Sequence, residues 1–507
     1  MSVKPQICAV ITEATCAAAR TALDMSASVA DIAELRLDYL QDFDFADTDS
    51  LARIVEGKRP PVIITCRSIA EGGRQVIDDS IRLRLLTEGA KRLADYCDIE
   101  AAHYEQAADF LPDITRLIVS YHNFDETPAN LEAVYDRITA LPAAVHKIVT
   151  RANTITDSIA IFNLLERSAG DKKRLIAIAM GPAGVITRVL GPSRGSFLTY
   201  GSLAEGKESA DGQLTCQELA SLYRVHRLSL ETAVTGIIGS PVGHSASPAI
   251  HNSLFAELDL DFVYLPFEVS DVTAFVNRMV NPKTRELDWN LRGFSVTIPH
   301  KNAIVPLLDE LTEQAKTIKA VNTVVTEGIR LTGHNTDVDG AMAPLEKVCD
   351  IARTRCGVIG AGGAARAVIG GLLARGALVT VFAREPSRAH AVSEAFNVEV
   401  LPIERLASSE VTVVINTTPV GMRGHSEGTS PVPHEALRRC MIAYDLVYNP
   451  LDTKFLIDAR AAGCKTIDGL EMLIAQAALQ FKLWTGKPAN IETMRRAARK
   501  WITGSVF

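Results

Sequence analysis

Short apolar runs recur along the first part of the chain, and amphipathic segments such as 81–93 separate them. Runs of this length are typical of buried strands, and the segments between them have the period of helices. The runs lie at 7–11, 33–37, 62–66, 96–100, 117–121, 146–150, 175–180 and 196–200. Eight strand–helix units within about 200 residues predict an α/β fold built on a (β/α)8 barrel, although an open doubly wound sheet has the same periodicity.

Reactive side chains near the ends of these runs separate the two possibilities. They are Glu34, Arg36 and Asp38 at the second run, Arg67 at the third, Asp98 and Glu100 at the fourth, His122 at the fifth and Lys147 in the sixth. In a barrel the C-terminal strand ends form one rim, whereas an open sheet would distribute them on both sides of its switch point. We therefore expect a closed barrel with one pocket.

The second part of the chain opens on a new strand and then carries a glycine-rich turn. A strand and turn over 235–241 place the boundary near residue 232. The apolar run 356–359 leads into a turn and a helical pattern, and the next strand is expected at 377–383. The turn reads Gly360-Ala361-Gly362-Gly363-Ala364. Such a turn lets a phosphate approach the helix N-terminus, so it predicts a dinucleotide-binding unit; a tight turn without a ligand is the alternative.

The end of the next strand bears on the choice of cofactor. An acidic residue there would bind the ribose hydroxyls of NAD, whereas Arg384 and Arg388 suit the 2′-phosphate of NADP. Glu385 stands between them and weakens the preference. The sequence favours NADP.

Composition and charge narrow the classes of function. The 507 residues are 47% hydrophobic and 22% charged, as in a globular protein with more than one core. With 53 Lys and Arg against 60 Asp and Glu, and without a long basic run, the chain is not expected to bind nucleic acid. No window approaches the roughly 20 apolar residues of a membrane span.

Cysteine usage and the N-terminal residues bear on the compartment. Nine cysteines are scattered without a CxxC pair, which predicts reduced thiols and no metal site. The N-terminal residues carry no recognisable signal or transit segment. We therefore expect a cytoplasmic protein.

A lysine within a predicted barrel strand indicates covalent chemistry. Desolvation of Lys147 favours the neutral amine, a nucleophile toward carbonyls, and His122 could remove the proton that an iminium makes acidic. Arg36, Arg67 and Arg188 could hold the carboxylate of an anionic polyol. Taken singly, the lysine could reach solvent, the histidine could be structural and the arginines could pair with nearby acids.

Together these residues resemble type I 3-dehydroquinate dehydratase, in that family's order across residues 1 to about 215. The matching segments are Glu34–Asp38, Thr65–Arg67, Glu71–Gly73, Asp98–Glu100, Ser120–His122, Lys147 and Ser209–Gln213. The resemblance implies a dehydratase without a cofactor, in which Lys147 forms the Schiff base, His122 is the general acid and base, and Glu71 orients it. It implies substrate or lid contacts for Glu34, Arg36, Arg67, Arg188, Ser209 and Gln213. Asp211 replaces the family's usual proline, which bears on the stiffness of the lid.

Polar residues of the second part indicate hydride transfer. Lys301, on a loop after a predicted strand, and Asp337 could relay a proton to an alcohol or ketone while hydride moves to or from a nicotinamide. Ser245 and Ser247 offer two hydroxyls in a turn. A helix cap at Ser247 and a surface ion pair between Lys301 and Asp337 are the structural alternatives.

These residues resemble shikimate dehydrogenase over about 235 to 507, a two-lobed α/β dehydrogenase with a Rossmann-type NADP-binding lobe. The resemblance implies that Lys301 and Asp337 are catalytic. It implies substrate contacts for Ser245, Ser247, Thr297, Asn322, Tyr448 and Gln476. It implies cofactor contacts for Gly360, Ala361, Gly362, Gly363, Ala364, Arg384, Arg388, Thr417, Met422 and Gly469. Ala383 and Glu385 depart from the family's Asn-Arg-Thr motif, whereas the serine pair favours shikimate over quinate.

The two resemblances predict consecutive activities in one chain. The expected substrates are 3-dehydroquinate, 3-dehydroshikimate and shikimate, with NADP as the cofactor and neither nucleic acid nor membrane as a partner. The expected divisions are 1–220 for the dehydratase barrel, 221–232 for a linker, 233–337 for the substrate-binding lobe, 338–458 for the NADP-binding lobe and 459–507 for helices that return to the substrate lobe. An NAD-preferring quinate dehydrogenase in the second half, or a relative without catalytic activity, is the alternative.

Overall fold

The computed structural model of the chain describes residues 4–504, except 46, 58–59, 93, 108–115 and 425. Strands and helices alternate through the first half. The strands are β1 (Ile7–Ile11), β2 (Ile32–Arg36), β3 (Val62–Thr65), β4 (Tyr96–Glu100), β5 (Leu117–His122), β6 (Val145–Arg151), β7 (Leu175–Met180) and β8 (Thr199–Ser202). The helices are α1 (Cys16–Ser26), α2 (Thr48–Val55), α3 (Asp79–Arg92), α4 (Tyr104–Ala107), α5 (Leu131–Thr139), α6 (Ser158–Gly170) and α7 (Val185–Leu190).

The eight strands close into a parallel barrel. Neighbours pair in chain order, and β8 returns to pair with β1. Between β7 and β8 the ring is completed by Ser196, which bridges to Leu175, and by the Phe197 N–H, which donates to the Leu175 carbonyl oxygen at 2.8 Å. The predicted barrel is confirmed, and the open sheet is wrong for this half.

The last barrel strand differs from its prediction. We expected a strand over 196–200, whereas β8 covers Thr199–Ser202. The apolar run is divided between two neighbours, because its first residues bond to β7 and its later ones to β1. Periodicity does not show this division, because it reports which faces of a strand are buried and not which neighbours bond to its edges.

Alternate strand residues fill the barrel interior. One buried cluster consists of Cys8, Val10, Ile32, Ile63, Ile118, Val145, Ile176, Ile178, Leu198 and Tyr200. Intervening residues, such as Ile7 and Ala9, pack in a second cluster with the helices outside. The period-2 alternation of a strand therefore places Lys147, two residues after Val145, inside the barrel.

The second half begins with a mixed sheet. Its strands are β9 (Ala233–Gly239), β10 (Phe262–Glu268), β11 (Leu291–Val296), β12 (Glu310–Leu311), β13 (Thr323–Glu327) and β14 (Arg330–His334). The helices of this stretch are α8 (Ser247–Glu257), α9 (Val272–Phe275), α10 (His300–Ala303), α11 (Glu313–Ile318) and α12 (Asp337–Glu346). The strand order is β10-β9-β11-β13-β14-β12, with β13 antiparallel to both of its neighbours.

A parallel sheet of six strands follows. Its strands are β15 (Arg355–Ile359), β16 (Leu378–Ala383), β17 (Glu399–Pro402), β18 (Val413–Asn416), β19 (Ile442–Asp445) and β20 (Lys465–Ile467). The helices are α13 (Gly363–Ala374), α14 (His390–Phe396), α15 (Lys454–Ala461), α16 (Gly469–Thr485) and α17 (Ile491–Ile502). The order β17-β16-β15-β18-β19-β20 is that of a Rossmann fold. Strand β20 lies beyond residue 458, so this sheet continues past the division that the sequence led us to expect.

The two halves share one apolar core. Val189 of α7 and Phe267 of β10 belong to the same buried cluster, and α7 lies beside β10. Polar contacts add to this interface: Arg194 donates to the Asp288 carbonyl oxygen at 3.0 Å, and Arg224 donates to that of Leu260 at 3.1 Å.

No helix in the described ranges is long and apolar enough to cross a membrane.

Candidate active sites

A cavity at the C-terminal rim of the barrel gathers most of the predicted dehydratase residues. Its lining includes Glu34, Arg36, Arg67, Glu71, His122, Lys147, Tyr200 and Ser209. The residues come from β2, β5, β6 and β8 and from the segments that follow β3 and β8. Barrel closure thus brings distant parts of the sequence to one pocket, as we expected from their positions at strand ends.

Lys147 is held inside this pocket by two carboxylates. Its Nζ lies 3.0 Å from Asp98 Oδ2 and 3.4 Å from Glu34 Oε1, and 4.4 Å from the centroid of the Tyr200 ring. Its side chain is 5% exposed, so it does not reach solvent. The amine is therefore buried in the barrel between two carboxylates and an aromatic ring.

Asp98 is the centre of the charge network. Besides Lys147, it accepts hydrogen bonds from Arg67 at 2.9 Å and from the Ser120 hydroxyl at 2.6 Å. Burial would raise the pKa of Asp98, but Arg67 and Lys147 together hold it well below its usual range. The sequence suggested that Asp98 could pair with an arginine, but it gave no sign of this three-way arrangement.

His122 and Glu71 form the predicted pair. The Nδ1 of His122 lies 2.8 Å from Glu71 Oε2. Burial, followed by the positive charges of Arg67 and Lys147, keeps the pKa of His122 well below its ordinary value, so the ring is neutral near pH 7. Burial also raises the pKa of Glu71 to about 7. A neutral ring that donates from Nδ1 to Glu71 has Nε2 available to accept a proton.

The predicted arginines have different partners. Arg36 makes a two-pronged contact with Asp38, from Nε to Oδ1 at 2.9 Å and from Nη2 to Oδ2 at 2.8 Å. Arg188 lies in α7 and donates to the Asp211 carbonyl oxygen at 3.4 Å. Within the described part of the chain its buried Nε has no hydrogen-bond partner, and burial lowers the pKa of Arg188 to about 10.

Residues 209–213 lie beside the pocket and are bonded to the barrel. Ser209 donates to Gln213 Oε1 from its N–H at 2.7 Å and from its hydroxyl at 3.2 Å. Asp211, the departure from the resembled family, pairs with Arg151 at 3.0 Å. Gly212 has φ +70°, and a Cβ there would lie 2.4 Å from the Gly181 carbonyl oxygen, so the position requires glycine.

The second predicted centre also forms. Lys301 lies in α10, and its Nζ is 2.5 Å from Oδ2 of Asp337, the first residue of α12. Their side chains are 23% and 11% exposed, so this is a half-buried pair. The Asn322 amide donates to Asp337 Oδ1 at 2.8 Å, and its oxygen accepts from the Thr336 N–H at 2.7 Å. Asn322 therefore fixes the orientation of the aspartate.

Other predicted substrate residues lie on the elements around this pair. Ser247 opens α8 and is buried, and its N–H donates to the Ser245 hydroxyl at 3.2 Å. Thr297 follows β11 and lies against the end of β9, where a Cβ on Gly239 would be 2.5 Å from Thr297 Cγ2. The remaining two are Gln476, in α16 where it packs closely on Gly340 of α12, and Tyr448, which follows β19.

A separate cleft opens at the C-terminal edge of the Rossmann sheet. Its lining includes Gly360, Ala361, Arg384, Glu385, Arg388 and Thr418. Gly360 has φ +108°, and a Cβ there would lie 2.8 Å from Thr417 Oγ1, whereas a Cβ on Gly362 or Gly363 would meet only open space. The start of α13 is thus open to a phosphate. Glu385 is paired with Arg388 at 2.8 Å, which offsets the acid that weakened the NADP prediction.

Three more residues were predicted to contact the cofactor. Ala364 lies in the first turn of α13, Met422 is 41% exposed, and Gly469 begins α16 where a Cβ would lie 2.5 Å from the Leu446 carbonyl oxygen. Sequence reasoning missed Tyr200 in the barrel pocket and the contact of Ser120 with Asp98. Both residues occupy inward positions of their strands, a signal that the period-2 pattern already contained.

Family models match both halves of the chain. The type I 3-dehydroquinase model matches residues 7–229, and the model of the shikimate dehydrogenase substrate binding domain matches residues 237–324. The model of the shikimate 5'-dehydrogenase C-terminal domain matches residues 469–499. The stretch 355–423 matches the model described as NADP oxidoreductase coenzyme F420-dependent.

Individual relatives span one or both halves. A bifunctional 3-dehydroquinate dehydratase/shikimate dehydrogenase, chloroplastic, of Arabidopsis thaliana is 34% identical over 492 residues, which cover 91% of this chain and 79% of that protein. A shikimate dehydrogenase (NADP(+)) of Pelobacter propionicus is 44% identical over 257 residues, covering 50% of this chain and 90% of that protein. A solved shikimate 5-dehydrogenase from Thermus thermophilus is 35% identical, with a TM-score of 0.47, and covers 53% of this chain and 99% of that one. The chain therefore belongs to the family of the bifunctional 3-dehydroquinate dehydratase/shikimate dehydrogenases.

Proposed function

We propose that the barrel dehydrates 3-dehydroquinate to 3-dehydroshikimate and that the second half reduces this product to shikimate with NADPH. The observation that carries the proposal is the presence of two complete centres in one chain. Lys147 and His122 line one cavity, and Lys301 and Asp337 are paired in the other half. A relative without catalytic activity would be expected to have lost some of these four side chains, and all are present.

In the barrel, Lys147 is the proposed nucleophile. Its neutral amine attacks the ketone carbon of 3-dehydroquinate, and loss of water leaves an iminium. His122 takes the neighbouring C–H proton, which the iminium has made acidic, and returns it to the departing hydroxyl, which leaves as water. Hydrolysis of the iminium regenerates the amine and releases 3-dehydroshikimate.

The surroundings of the two groups support these roles. Asp98 and Glu34 lie beside the amine and hold it in the pocket, and the neutral ring of His122 can accept a proton at pH 7. Glu71 fixes which ring nitrogen donates. We assign the substrate carboxylate to Arg188, because its buried guanidinium retains a free donor among the described residues. The remaining substrate or lid contacts are assigned to Glu34, Arg36, Arg67, Ser209 and Gln213.

In the second half, Lys301 and Asp337 are the proposed proton relay. NADPH supplies the hydride when it is bound. The half-buried pair then delivers a proton to the carbonyl oxygen as it becomes a hydroxyl, and Asn322 holds Asp337 in place for this transfer. We assign the substrate carboxylate to Ser245 and Ser247, and the substrate hydroxyls to Thr297, Gln476 and Tyr448.

The cleft beside β15 and β16 fits a dinucleotide phosphate. The open start of α13 at Gly362 and Gly363 accepts an anion, and Arg384 stands at the end of β16. Because Arg388 neutralises Glu385, we propose that NADP is preferred over NAD. The nine cysteines are unpaired, which supports a reducing compartment, and we propose the cytoplasm.

One assay tests both activities together. Purified protein is mixed with NADPH and 3-dehydroquinate as the only substrate, and absorbance of the reduced nicotinamide is followed. We expect the signal to fall, because the barrel forms the 3-dehydroshikimate that the second half reduces; an equal fall with Lys147→Ala would instead indicate direct reduction of 3-dehydroquinate to quinate. A constant signal would contradict the proposal, and addition of 3-dehydroshikimate would then identify the inactive half. A parallel run with NADH tests the cofactor preference, and oxidation of shikimate compared with quinate by NADP+ tests the substrate preference.

A further inference from the structure

Arg82 is a buried arginine outside the substrate pocket. It contacts the turn after β3, which carries the pocket residues Arg67 and Glu71. Arg82 belongs to α3 and is 1% exposed. Its Nη1 donates to Glu100 Oε2 at 2.6 Å and to the Cys66 carbonyl oxygen at 3.1 Å, and its Nη2 donates to Asp79 Oδ1 at 2.9 Å. The cavity lining does not include Arg82, so any effect on the reaction must pass through these neighbours.

Glu100 connects Arg82 to the turn after β3. Its Oε1 accepts from the Ser68 N–H at 2.8 Å, while Oε2 is bound by Arg82. The same oxygen, Oε1, lies 3.7 Å from Arg67 Nη1. Burial would raise the pKa of Glu100, but Arg67 and Arg82 hold it below its ordinary value. An ionised carboxylate thus connects Arg82 to both the backbone and a side chain of the turn.

This turn is tightly built and carries chemistry. It places Arg67 against Asp98 and Glu71 against His122. A Cβ on Gly73 would lie 2.1 Å from the Arg67 carbonyl oxygen, so the backbone of the turn folds closely on itself. Three contacts hold its start from outside: Arg82 at the Cys66 carbonyl, Asp38 at the Arg67 N–H and Glu100 at the Ser68 N–H.

We propose that Arg82 is a positioning residue for the dehydratase reaction, acting through Glu100 and the Cys66 carbonyl to hold the turn that presents Arg67 and Glu71 to the pocket. The inference rests on the proposed dehydratase function. Without Arg82, the nearest remaining cation to Glu100 is Arg67, which is then drawn away from Asp98 and so from the neighbourhood of Lys147. Removal of one partner of a buried ion pair leaves the other charge uncompensated and is destabilising, so the test must also measure folding.

The test uses the full chain with the substitutions Arg82→Met, Arg82→Lys and Arg84→Met. Arg84 is an exposed arginine of the same helix and serves as the matched control. We expect Arg82→Met to lower the dehydratase kcat by about 10- to 100-fold and to raise KM, because displacement of catalytic groups by about 1 Å has effects of this order. Arg82→Lys retains a cation for Glu100 and should recover most of kcat. Arg84→Met should match the wild type.

Reduction of 3-dehydroshikimate by the same variants reports on folding. The inference is supported if Arg82→Met loses dehydratase activity while the reductase activity stays, and Arg82→Lys restores it. It is overturned if Arg82→Met dehydrates normally, if both activities fall together in Arg82→Met and Arg82→Lys, or if Arg82→Lys is as impaired as Arg82→Met. A wild-type chain that reduces 3-dehydroshikimate but leaves 3-dehydroquinate unchanged would refute the proposed dehydratase function itself, and this inference with it.

Discussion

Replacement of Gly360 by alanine tests the cofactor cleft most directly. The residue has φ +108°, and the new Cβ would lie 2.8 Å from Thr417 Oγ1 and 2.9 Å from Thr418 Cγ2. The backbone conformation costs a residue with a side chain about 1–3 kcal/mol, and contacts this short cost on the order of 1 kcal/mol more. If the turn must regain its present shape to bind the cofactor, about 2–4 kcal/mol corresponds to about a 30- to 1,000-fold higher Kd for NADPH.

The assay is a titration of NADPH fluorescence, with Gly376→Ala as the control. Gly376 has φ +78° and lies between α13 and β16, at the end of β16 opposite the cleft, and a Cβ there meets no atom within 4 Å. It therefore carries a similar backbone cost without the local contacts. Dehydratase activity of both variants reports on the integrity of the barrel. A Kd in Gly360→Ala close to that of the wild type, or an equal loss in Gly376→Ala, would refute the reasoning.

Three further outcomes follow from the two centres. Lys147→Ala should abolish dehydration and the adduct that borohydride traps on the enzyme, while reduction of 3-dehydroshikimate continues; loss of both activities would contradict two separate sites. Asp337→Asn should lower the reductase kcat by about 100-fold with an unchanged Kd for NADPH, and a large change in that Kd would argue against its role as a proton relay. Burial, opposed by Arg67 and reinforced by Glu100 and Asp98, raises the pKa of Glu71 to about 7, so the carboxylate that orients His122 forms as pH rises. The dehydratase kcat should therefore increase between pH 6 and 8 and become flatter in Glu71→Gln; a decrease over this range in the wild type would be inconsistent with the assignment.

The positions of reactive residues at strand ends were predictable, because closure of a barrel brings all C-terminal ends to one rim. Lys147 and His122 illustrate this, since their strands were visible in the apolar pattern, whereas Glu71 came from the family resemblance alone. That resemblance also implied the catalytic roles of Lys301 and Asp337, which no periodicity would have joined. The structure then brought each pair within contact distance.

Contacts between side chains of different strands could not be predicted from the sequence. Which carboxylate faces Lys147 depends on strand register, and Asp98 bonds to three side chains from three other strands or loops. The family role of Asn322 is a substrate contact, yet here its amide also fixes Asp337, because β13 and the start of α12 meet there. Arg82 gave no signal at all, since an arginine in an amphipathic helix ordinarily faces water.

The apolar core shared by α7 and β10 joins the two halves by packing as well as by the chain that connects them. A chain cut near residue 230 would expose an apolar surface on each piece. Burial of such a surface stabilises a protein by roughly 25 cal/mol per Å². Either half used alone as a catalyst would need that face rebuilt with polar side chains to stay in solution. In this chain the two halves therefore form one folded unit rather than two domains joined only by a linker.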